Sequence, residues 1–220
     1  MAIKLEVWGD YALFTRPEMK VERVSYDVIT PSAARGILEA IYWHPGLRWV
    51  VDEIKVCNVI RFTNIRKNEV KATVSARTAK TVLEKNEGLL YMDTTKEIQQ
   101  RANLLLRDVR YIISAHFVMT EKANTTDNPG KFQDIISRRI RKGQFYHQPY
   151  FGCREFPASF GEAKNNYMCP DELLGRHDLG YMLLDMDYGD IEDVKPMFFR
   201  AVLRDGVIKI PNNEGEEVVM

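Results

Sequence analysis

Basic and aromatic side chains are concentrated between Lys131 and Arg154, and this segment suggests the first chemistry. The cations are Arg138, Arg139, Arg141 and Lys142, and the rings that follow are Phe145, Tyr146 and His147. Guanidinium groups suit phosphates, and aromatic rings suit unstacked bases. The pattern therefore indicates a surface for a nucleic acid. A solvated helix face is the alternative, because runs of charge are often only that.

Lys131 follows the turn Asn128-Pro129-Gly130 and is expected in the first turn of a helix. A lysine is poorly placed there, because its charge opposes the helix dipole, whereas an anion is favoured by the free backbone N–H groups. A phosphate bound between the lysine and the helix would resolve the conflict. A solvated surface lysine is an equal alternative at this point.

Three further features have residue types that suit a site. Tyr42 and His44 lie at the end of the first predicted helix, where a tyrosine is also compatible with plain packing and a histidine can titrate near neutral pH. Gly152 stands near Arg154 and permits close approach of a backbone to a ligand, with a β-bulge as the alternative. His116 lies in an apolar strand pattern and is expected to be a core residue.

The elements that must position these residues alternate between strand and helix patterns. In chain order they are a strand from Ile3, a helix Pro31–Tyr42, strands Leu47–Thr63 and Leu104–Met119, a helix Pro129–Lys142 and a strand Gln148–Phe156. This β-α-β-β-α-β order predicts an α+β protein with the ferredoxin-like arrangement that RNA-recognition domains share.

The pattern changes after Pro157. Short strands are predicted at Tyr181–Met186, Met197–Leu203 and Val207–Ile210, with a hairpin turn at 204–206. The prediction is a ferredoxin-like RNA-binding domain over 1–157 and a small antiparallel β-sheet domain over 158–220. The segment 64–98 is polar and gives only a short helix, at Ala76–Glu84.

Composition excludes several classes of protein. The 220 residues include 31 basic and 31 acidic side chains, so indiscriminate coating of nucleic acid is not expected, although a local basic face is. No apolar run suits a membrane span and the N-terminus has no secretory pattern, so a cytoplasmic protein is expected. The three cysteines form no CxxC pair, and no metal or cofactor motif appears. A nuclease made from this chain is expected to work without metal.

Several motifs, in order, resemble the Cas-five family of CRISPR proteins, and most closely its subtype I-C member, from Ile3 to about Phe160. They are Gly9-Asp10-Tyr11-Ala12-Leu13-Phe14-Thr15, Gly36-Ile37-Leu38-Glu39-Ala40-Ile41-Tyr42-Trp43, Arg107-Asp108-Val109-Arg110-Tyr111 and Gly152-Cys153-Arg154-Glu155-Phe156. The resemblance implies metal-independent cleavage of the repeat in CRISPR precursor RNA. It also implies retention on the 5′ handle of the product, beside the Cas-seven backbone and the large Cas-eight subunit of a complex that meets target DNA.

The resemblance assigns the cleavage site to Tyr42 and Lys131, and it places Phe132 where the family has a histidine. His44 and His147 are the alternatives for the missing imidazole. Cleavage by the ribose 2′-hydroxyl is expected to leave a 2′,3′-cyclic phosphate. The residues expected to bind RNA are Arg35, Arg138, Arg139, Arg141, Lys142, Tyr146, Gly152 and Arg154.

Two other functions remain open at this stage. Because phenylalanine cannot move a proton, the chain also fits a handle-binding subunit that does not cleave. A small-molecule-binding domain of the same fold is the third hypothesis, and it predicts no salt-sensitive affinity for RNA.

Overall fold

The computed structural model describes residues 2–19, 21–86, 88–164, 167–190, 192–211 and 218–219. The protein is α+β, with a large, mostly antiparallel sheet and few helices, as predicted in outline. The strands are β1 (Ile3–Ala12), β2 (Arg23–Val24), β3 (Leu47–Val56), β4 (Phe62–Val70), β5 (Ile98–Met119), β6 (Ser159–Glu162), β7 (Arg176–Asp187), β8 (Lys195–Arg204), β9 (Val207–Lys209) and β10 (Val218–Val219). The helices are α1 (Pro31–Ile41), α2 (Ala76–Lys85) and α3 (Pro129–Lys142), with a 3-10 turn at Asp171–Leu173.

The centre of the sheet has the order β6-β1-β5-β3, and each neighbouring pair is antiparallel. Helix α1 lies between β1 and β3 in sequence, and α3 lies between β5 and β6. Both helices pack on the sheet and on each other through apolar stripes. The buried residues of α3 are Phe132, Ile136 and Ile140, at the four-residue spacing of one helix face.

Both of these helices begin at a capping side chain. Thr30 Oγ1 accepts the backbone N–H of Ala33 at 3.2 Å, with Pro31 in the first helical position. Asn128 caps α3 in the same way, and Gly143 ends it with a φ of +62°, where glycine is favoured. The predicted ends of α3 are therefore confirmed, and α1 stops one residue earlier than predicted, with Tyr42 as its C-cap.

The strand β5 is longer than predicted and serves two regions. Its second half pairs with β3 and β1, whereas its first half pairs with β4 over nine registered positions, Phe62↔Leu106 to Val70↔Ile98. The arm, defined as residues 62–106, consists of β4, α2 and this half of β5. No residue of α2 is buried. The sequence pattern did not predict the full extent of these strands. Both faces of the arm are largely in solvent, so its residues do not alternate between apolar and polar types.

The predicted strand Gln148–Phe156 is wrong. The segment makes one isolated bridge, Tyr150↔Pro157, and turns at Gly152, whose φ is +79°. The strand that pairs with β1 on this side is β6, which begins at Ser159, after the predicted segment has ended. The aromatic residues that suggested a strand are buried for packing: Phe151 is fully enclosed against Phe14 and Tyr111.

The three predicted C-terminal strands are confirmed: β7 and β8 are longer than predicted, and β9 ends one residue earlier. The hairpin turn at Asp205-Gly206 has both residues at positive φ, as a two-residue turn requires. Strand β9 pairs with both β8 and β3, so the C-terminal strands continue the main sheet. The division into domains at residue 157 stays a prediction, although β6 lies after it and pairs with β1.

Candidate functional site

The end of α1 fixes Tyr42 through its backbone. The N–H of Tyr42 donates to the carbonyl of Leu38 at 2.9 Å, and the Trp49 indole N–H donates to the carbonyl of Tyr42 at 3.0 Å. The side chain of Tyr42 is buried and its ring faces the guanidinium of Arg139, 5.1 Å from the ring centroid. Burial raises the pKa of Tyr42 above its ordinary value, and the Arg139 and Lys131 charges oppose the rise. Its hydroxyl is therefore protonated at neutral pH.

The start of α3 places Lys131 beside an acid. Lys131 donates its backbone N–H to Asn128 Oδ1 and its ammonium to Asp127 Oδ1, both at 2.8 Å. The Lys131 side chain is 44% exposed and that of Asp127 only 2%. The hydrogen bond from Lys131, helped by one from the Asn124 N–H, holds the pKa of Asp127 below its usual range. The ammonium thus faces solvent above a buried, ionised carboxylate.

His44 reaches the same carboxylate from the segment after α1. Its Nε2 lies 3.8 Å from Asp127 Oδ2, and its Nδ1 accepts the N–H of Gly46 at 3.0 Å. An acceptor at Nδ1 places the proton of the neutral ring on Nε2, towards Asp127. Tyr42, His44 and Lys131, which the sequence placed in two distant segments, therefore meet between the end of α1 and the start of α3.

Phe132 occupies the space between these side chains. It is fully buried, with its ring centroid 5.0 Å from His44, 6.0 Å from Tyr42 and 6.1 Å from Phe117. The position where the resemblance places a histidine is thus a core position in this chain. The nearest imidazole belongs to His44, which packs on the Phe132 ring.

The basic residues at the end of α3 have different surroundings. Arg139 is half-buried and donates to the carbonyl of Ile41 at 2.6 Å, so it closes the end of α1 and lies against Tyr42. Arg138 and Lys142 are exposed. Arg141 is also exposed, with a long hydrogen bond to the Ser137 carbonyl at 3.4 Å and a loose ion pair 3.8 Å from Glu162. Three of the four predicted cations therefore face solvent together, and the fourth is held by the protein.

The segment after α3 returns to α1. The N–H groups of Tyr146 and His147 both point to the carbonyl of Ala40, at 2.9 and 3.3 Å. The Tyr146 side chain is 82% exposed. His147 Nδ1 lies 3.4 Å from the Gln148 carbonyl, which can only accept, so Nε2 is left as the basic nitrogen.

Gly152 and Arg154 have separate environments. A Cβ at Gly152 would lie 1.9 Å from the Leu13 carbonyl oxygen, so the glycine serves a close approach within the protein itself. Arg154 is exposed. Its neighbour Glu155 pairs with Lys67 of the arm at 2.9 Å, which ties the turn to the arm.

Two further expectations from the sequence concern Arg35 of α1 and His116 of β5. Arg35 makes a two-pronged ion pair with Asp185, at 2.6 and 2.9 Å, so its predicted contact with RNA competes with a protein contact. The prediction that His116 is a core residue is wrong. Its ring is partly exposed and lies 2.9 Å from Asp52.

Sequence reasoning missed Asp127. Its only signal was the four-residue spacing to Lys131, which suits an ion pair, but a helix was predicted to start after it and the pair was overlooked. The carboxylate is covered because the loop 124–128 folds beneath the Lys131 side chain. No local sequence pattern predicts this loop conformation.

Comparison with known proteins places this geometry in a family. A model of the family described as "CRISPR-associated protein (Cas_Cas5)" matches residues 2–211. The chain therefore belongs to the Cas5 family of CRISPR-associated proteins. Within it, the relatives below assign the chain to the Cas5d branch, the subtype I-C member that the sequence motifs indicated.

Two relatives carry the name "CRISPR pre-crRNA endoribonuclease Cas5d". The protein of Mannheimia succiniciproducens is 48% identical over 221 residues, covering 98% of this chain and 97% of its own. That of Thermus thermophilus is 36% identical over 233 residues, covering 98% and 94%. A solved structure described as a CRISPR-associated protein has a TM-score of 0.71 and 26% identity, covering 100% of this chain and 97% of its own.

In the part of the chain that the structure describes, no helix combines the length and apolarity needed to cross a membrane.

Proposed function

We propose that this protein is a metal-independent endoribonuclease that cleaves the repeat of CRISPR precursor RNA. The observation that carries the proposal is that Lys131 and His44 both approach the Asp127 carboxylate, while Tyr42 and His44 pack on the same Phe132 ring. The names of the two full-length relatives support the same activity. Among the residues that the structure describes, no three His, Cys, Asp or Glu side chains are grouped so that they could hold a metal ion.

The reaction is the attack of a ribose 2′-oxygen on the adjacent phosphorus. The P–O2′ bond forms, the bond to the 5′-oxygen breaks, and the products are a 2′,3′-cyclic phosphate and a 5′-hydroxyl. Negative charge grows on the non-bridging oxygens in the transition state, and an ammonium aimed at them stabilises it. Lys131 has this role, because its amine is exposed and its charge is fixed by Asp127.

Proton transfer is divided among the remaining groups. Tyr42 keeps its proton at neutral pH, so it acts as a hydrogen-bond donor that positions the substrate and not as a base. His44 presents Nε2–H, which suits a hydrogen bond to the departing 5′-oxygen, while the proton that this oxygen takes up comes from solvent water. His147 leaves Nε2 unprotonated and exposed, so it is the candidate that takes the proton of the 2′-hydroxyl.

The RNA-binding surface follows α3 and the turn after it. Arg138, Arg141 and Lys142 offer phosphate contacts, and the exposed Tyr146 ring offers a stacking face. Arg154 extends the surface. Arg139 acts by holding the end of α1, and Gly152 acts by packing on Leu13. Arg35 joins the surface only if RNA displaces Asp185.

The same proposal includes the architecture and the assembly. The four strands β6-β1-β5-β3 with α1 and α3 are assigned to a ferredoxin-like unit, and β7 to β10 to a small β-sheet domain. The boundary predicted at residue 157 therefore falls just before β6, which pairs with β1 of the first unit. After cleavage the protein stays in the cytoplasm on the 5′ handle, beside the Cas-seven backbone and the Cas-eight subunit, and meets target DNA through that complex. No cofactor is required.

Phe132 favours a second candidate, a subunit that binds the handle without cleaving. The histidine that the resemblance expects is replaced by a buried ring, so catalysis must use imidazoles from elsewhere. A third candidate, a small-molecule-binding domain, requires that salt-sensitive affinity for RNA be absent.

The test is incubation of the purified full chain with a subtype I-C repeat RNA in EDTA, followed by analysis of the new 3′ end. We expect one cut and a cyclic phosphate. Intact RNA that is nevertheless bound supports the handle-binding candidate. RNA that is neither cut nor bound supports the small-molecule candidate. Cutting that requires added Mg²⁺ overturns the metal-independent mechanism.

A further inference from the structure

A buried carboxylate lies where an anionic substrate must bind. Asp127 is ionised and its side chain is 2% exposed, directly beneath the lysine that faces solvent. A negative charge beside a phosphate site is unfavourable unless it is compensated, because like charges repel. Its presence therefore needs a reason beyond the binding of RNA.

The contacts of Asp127 point to that reason. One carboxylate oxygen accepts the ammonium of Lys131 at 2.8 Å, and the other lies 3.8 Å from His44 Nε2. The two groups come from different elements, Lys131 from α3 and His44 from the segment after α1. Asp127 thus contacts two of the residues proposed to take part in cleavage, Lys131 and His44.

We propose that Asp127 is a positioning residue, which holds the Lys131 ammonium and the Nε2–H of His44 at a fixed separation for the cleavage step. The inference rests on the proposed function. A free lysine samples many rotamers, and an ion pair to a buried carboxylate removes most of them before the substrate arrives. The lysine shields the carboxylate, so an incoming phosphate meets the ammonium first.

A purely structural role explains less of the geometry. The start of α3 is already capped by Asn128, whose side chain accepts the N–H of Lys131. The turn before it is closed by the Asp127 backbone, whose N–H donates to the carbonyl of Asn124 at 3.0 Å. The side chain adds one bond to this turn, from the Asn124 N–H at 2.9 Å, and its other contacts are with Lys131 and His44.

The experiment compares Asp127→Asn with wild type in single-turnover cleavage of repeat RNA in EDTA. Asparagine keeps the shape and the bond to Asn124 but loses the charge. We expect the rate constant at saturating protein to fall about 10- to 100-fold, as displaced catalytic groups do, with the Kd for RNA changed less than about 3-fold. Asp127→Glu, which keeps the charge, should recover part of the rate.

A matched control is Asp178→Asn. Asp178 also accepts a backbone N–H, from Gly180, and also pairs with a cation, Arg200, but it lies on β7, away from the proposed site. It should cleave like wild type. In a Lys131→Ala background, Asp127→Asn should cost less than it does in wild type, because only its effect on His44 is then left.

Each outcome decides one question. The positioning role is overturned if Asp127→Asn cleaves at the wild-type rate. It is also overturned if Asp127→Asn loses RNA binding and thermal stability in parallel with the rate, or if Asp127→Glu recovers none of the rate. The positioning role is also overturned if the losses of cleavage rate caused by Asp127→Asn and Lys131→Ala are fully additive in the double variant. An intact substrate with wild type overturns the proposed function, and the positioning role with it, whereas loss with Lys131→Ala and none with Asp127→Asn overturns the positioning role alone.

Discussion

The two ends of α3 are both basic, but they are built differently. At the start, Lys131 is bonded to Asp127 and lies beside Phe132, which is fully buried. At the end, Arg138, Arg141 and Lys142 extend into solvent with at most loose contacts to the protein. One end fixes a single charge in a defined place, and the other spreads several charges over a surface.

This difference separates two tasks that a basic segment can have. A charge that stabilises a transition state must be placed to within a fraction of an ångström, so it needs supporting contacts. Charges that hold a nucleic-acid backbone act additively and through water, so they need few supporting contacts from the protein. The structure of α3 therefore predicts that mutations at its start change rate and that mutations at its end change affinity.

The largest effect is expected from Lys131→Ala. Loss of the ammonium should lower the single-turnover rate about 100- to 1000-fold, as loss of one preorganised donor does in other enzymes. The Kd for repeat RNA should change little. The measurement is cleavage at saturating protein together with a binding titration. An unchanged rate would contradict the assignment of Lys131.

Phe132→His tests whether the start of α3 can regain the family's histidine. The position is enclosed by Tyr42, His44 and Phe117, so a polar ring there is buried without a partner. We expect a loss of about 1–3 kcal/mol in the free energy of unfolding and no gain in cleavage. Phe132→Leu is the packing control. Faster cleavage by Phe132→His would show that the site accepts an imidazole there.

Replacement of Arg138, Arg141 and Lys142 by alanine tests the other end. The rate constant of bound RNA should stay near that of wild type, while affinity weakens and its dependence on salt becomes shallower by about 2 to 3 in the logarithmic slope. Titrations at several salt concentrations measure this. The control is Arg66→Ala with Arg77→Ala on the arm. A slope equal to that of wild type would remove the surface from the proposal.

The smallest effect concerns Tyr42 and pH. Because the folded-state pKa of Tyr42 is raised above 10.0, the unfolded chain loses this proton first as pH rises. The contribution of Tyr42 to stability is therefore complete below pH of about 10 and declines above it. Urea unfolding of wild type and Tyr42→Phe should show a smaller difference at pH of about 10.5 than at pH of about 8. A constant difference would contradict the direction of the shift.

Local chemistry could be predicted from the sequence where it depends on neighbours along the chain. The caps Thr30 and Asn128, the stop at Gly143 and the turn at Asp205-Gly206 follow from the conformations these residues favour. The convergence of Tyr42 and Lys131 was indicated by the family resemblance, and composition and periodicity alone did not indicate it.

The errors have a common physical cause. The strand predicted at Gln148–Phe156 failed because Gly152 packs on the Leu13 carbonyl, a contact between segments far apart in sequence. Asp127 was missed because its burial comes from a loop folding beneath a lysine. The arm was not recognised because a strand pair exposed on both faces shows no apolar alternation.

The long strand β5 also has a consequence for how the molecule opens. Between Tyr111 and Ala115 it is flanked by β1 and β3, and its side chains are buried, whereas from Ile98 to Ala102 it is bordered by β4 and its side chains are partly in solvent. Amide hydrogens along this single strand should therefore exchange on very different timescales. The outer part of the arm is therefore expected to open before the part of β5 that lies between β1 and β3, and Asp108, at a φ of +54°, lies between these two parts of the strand.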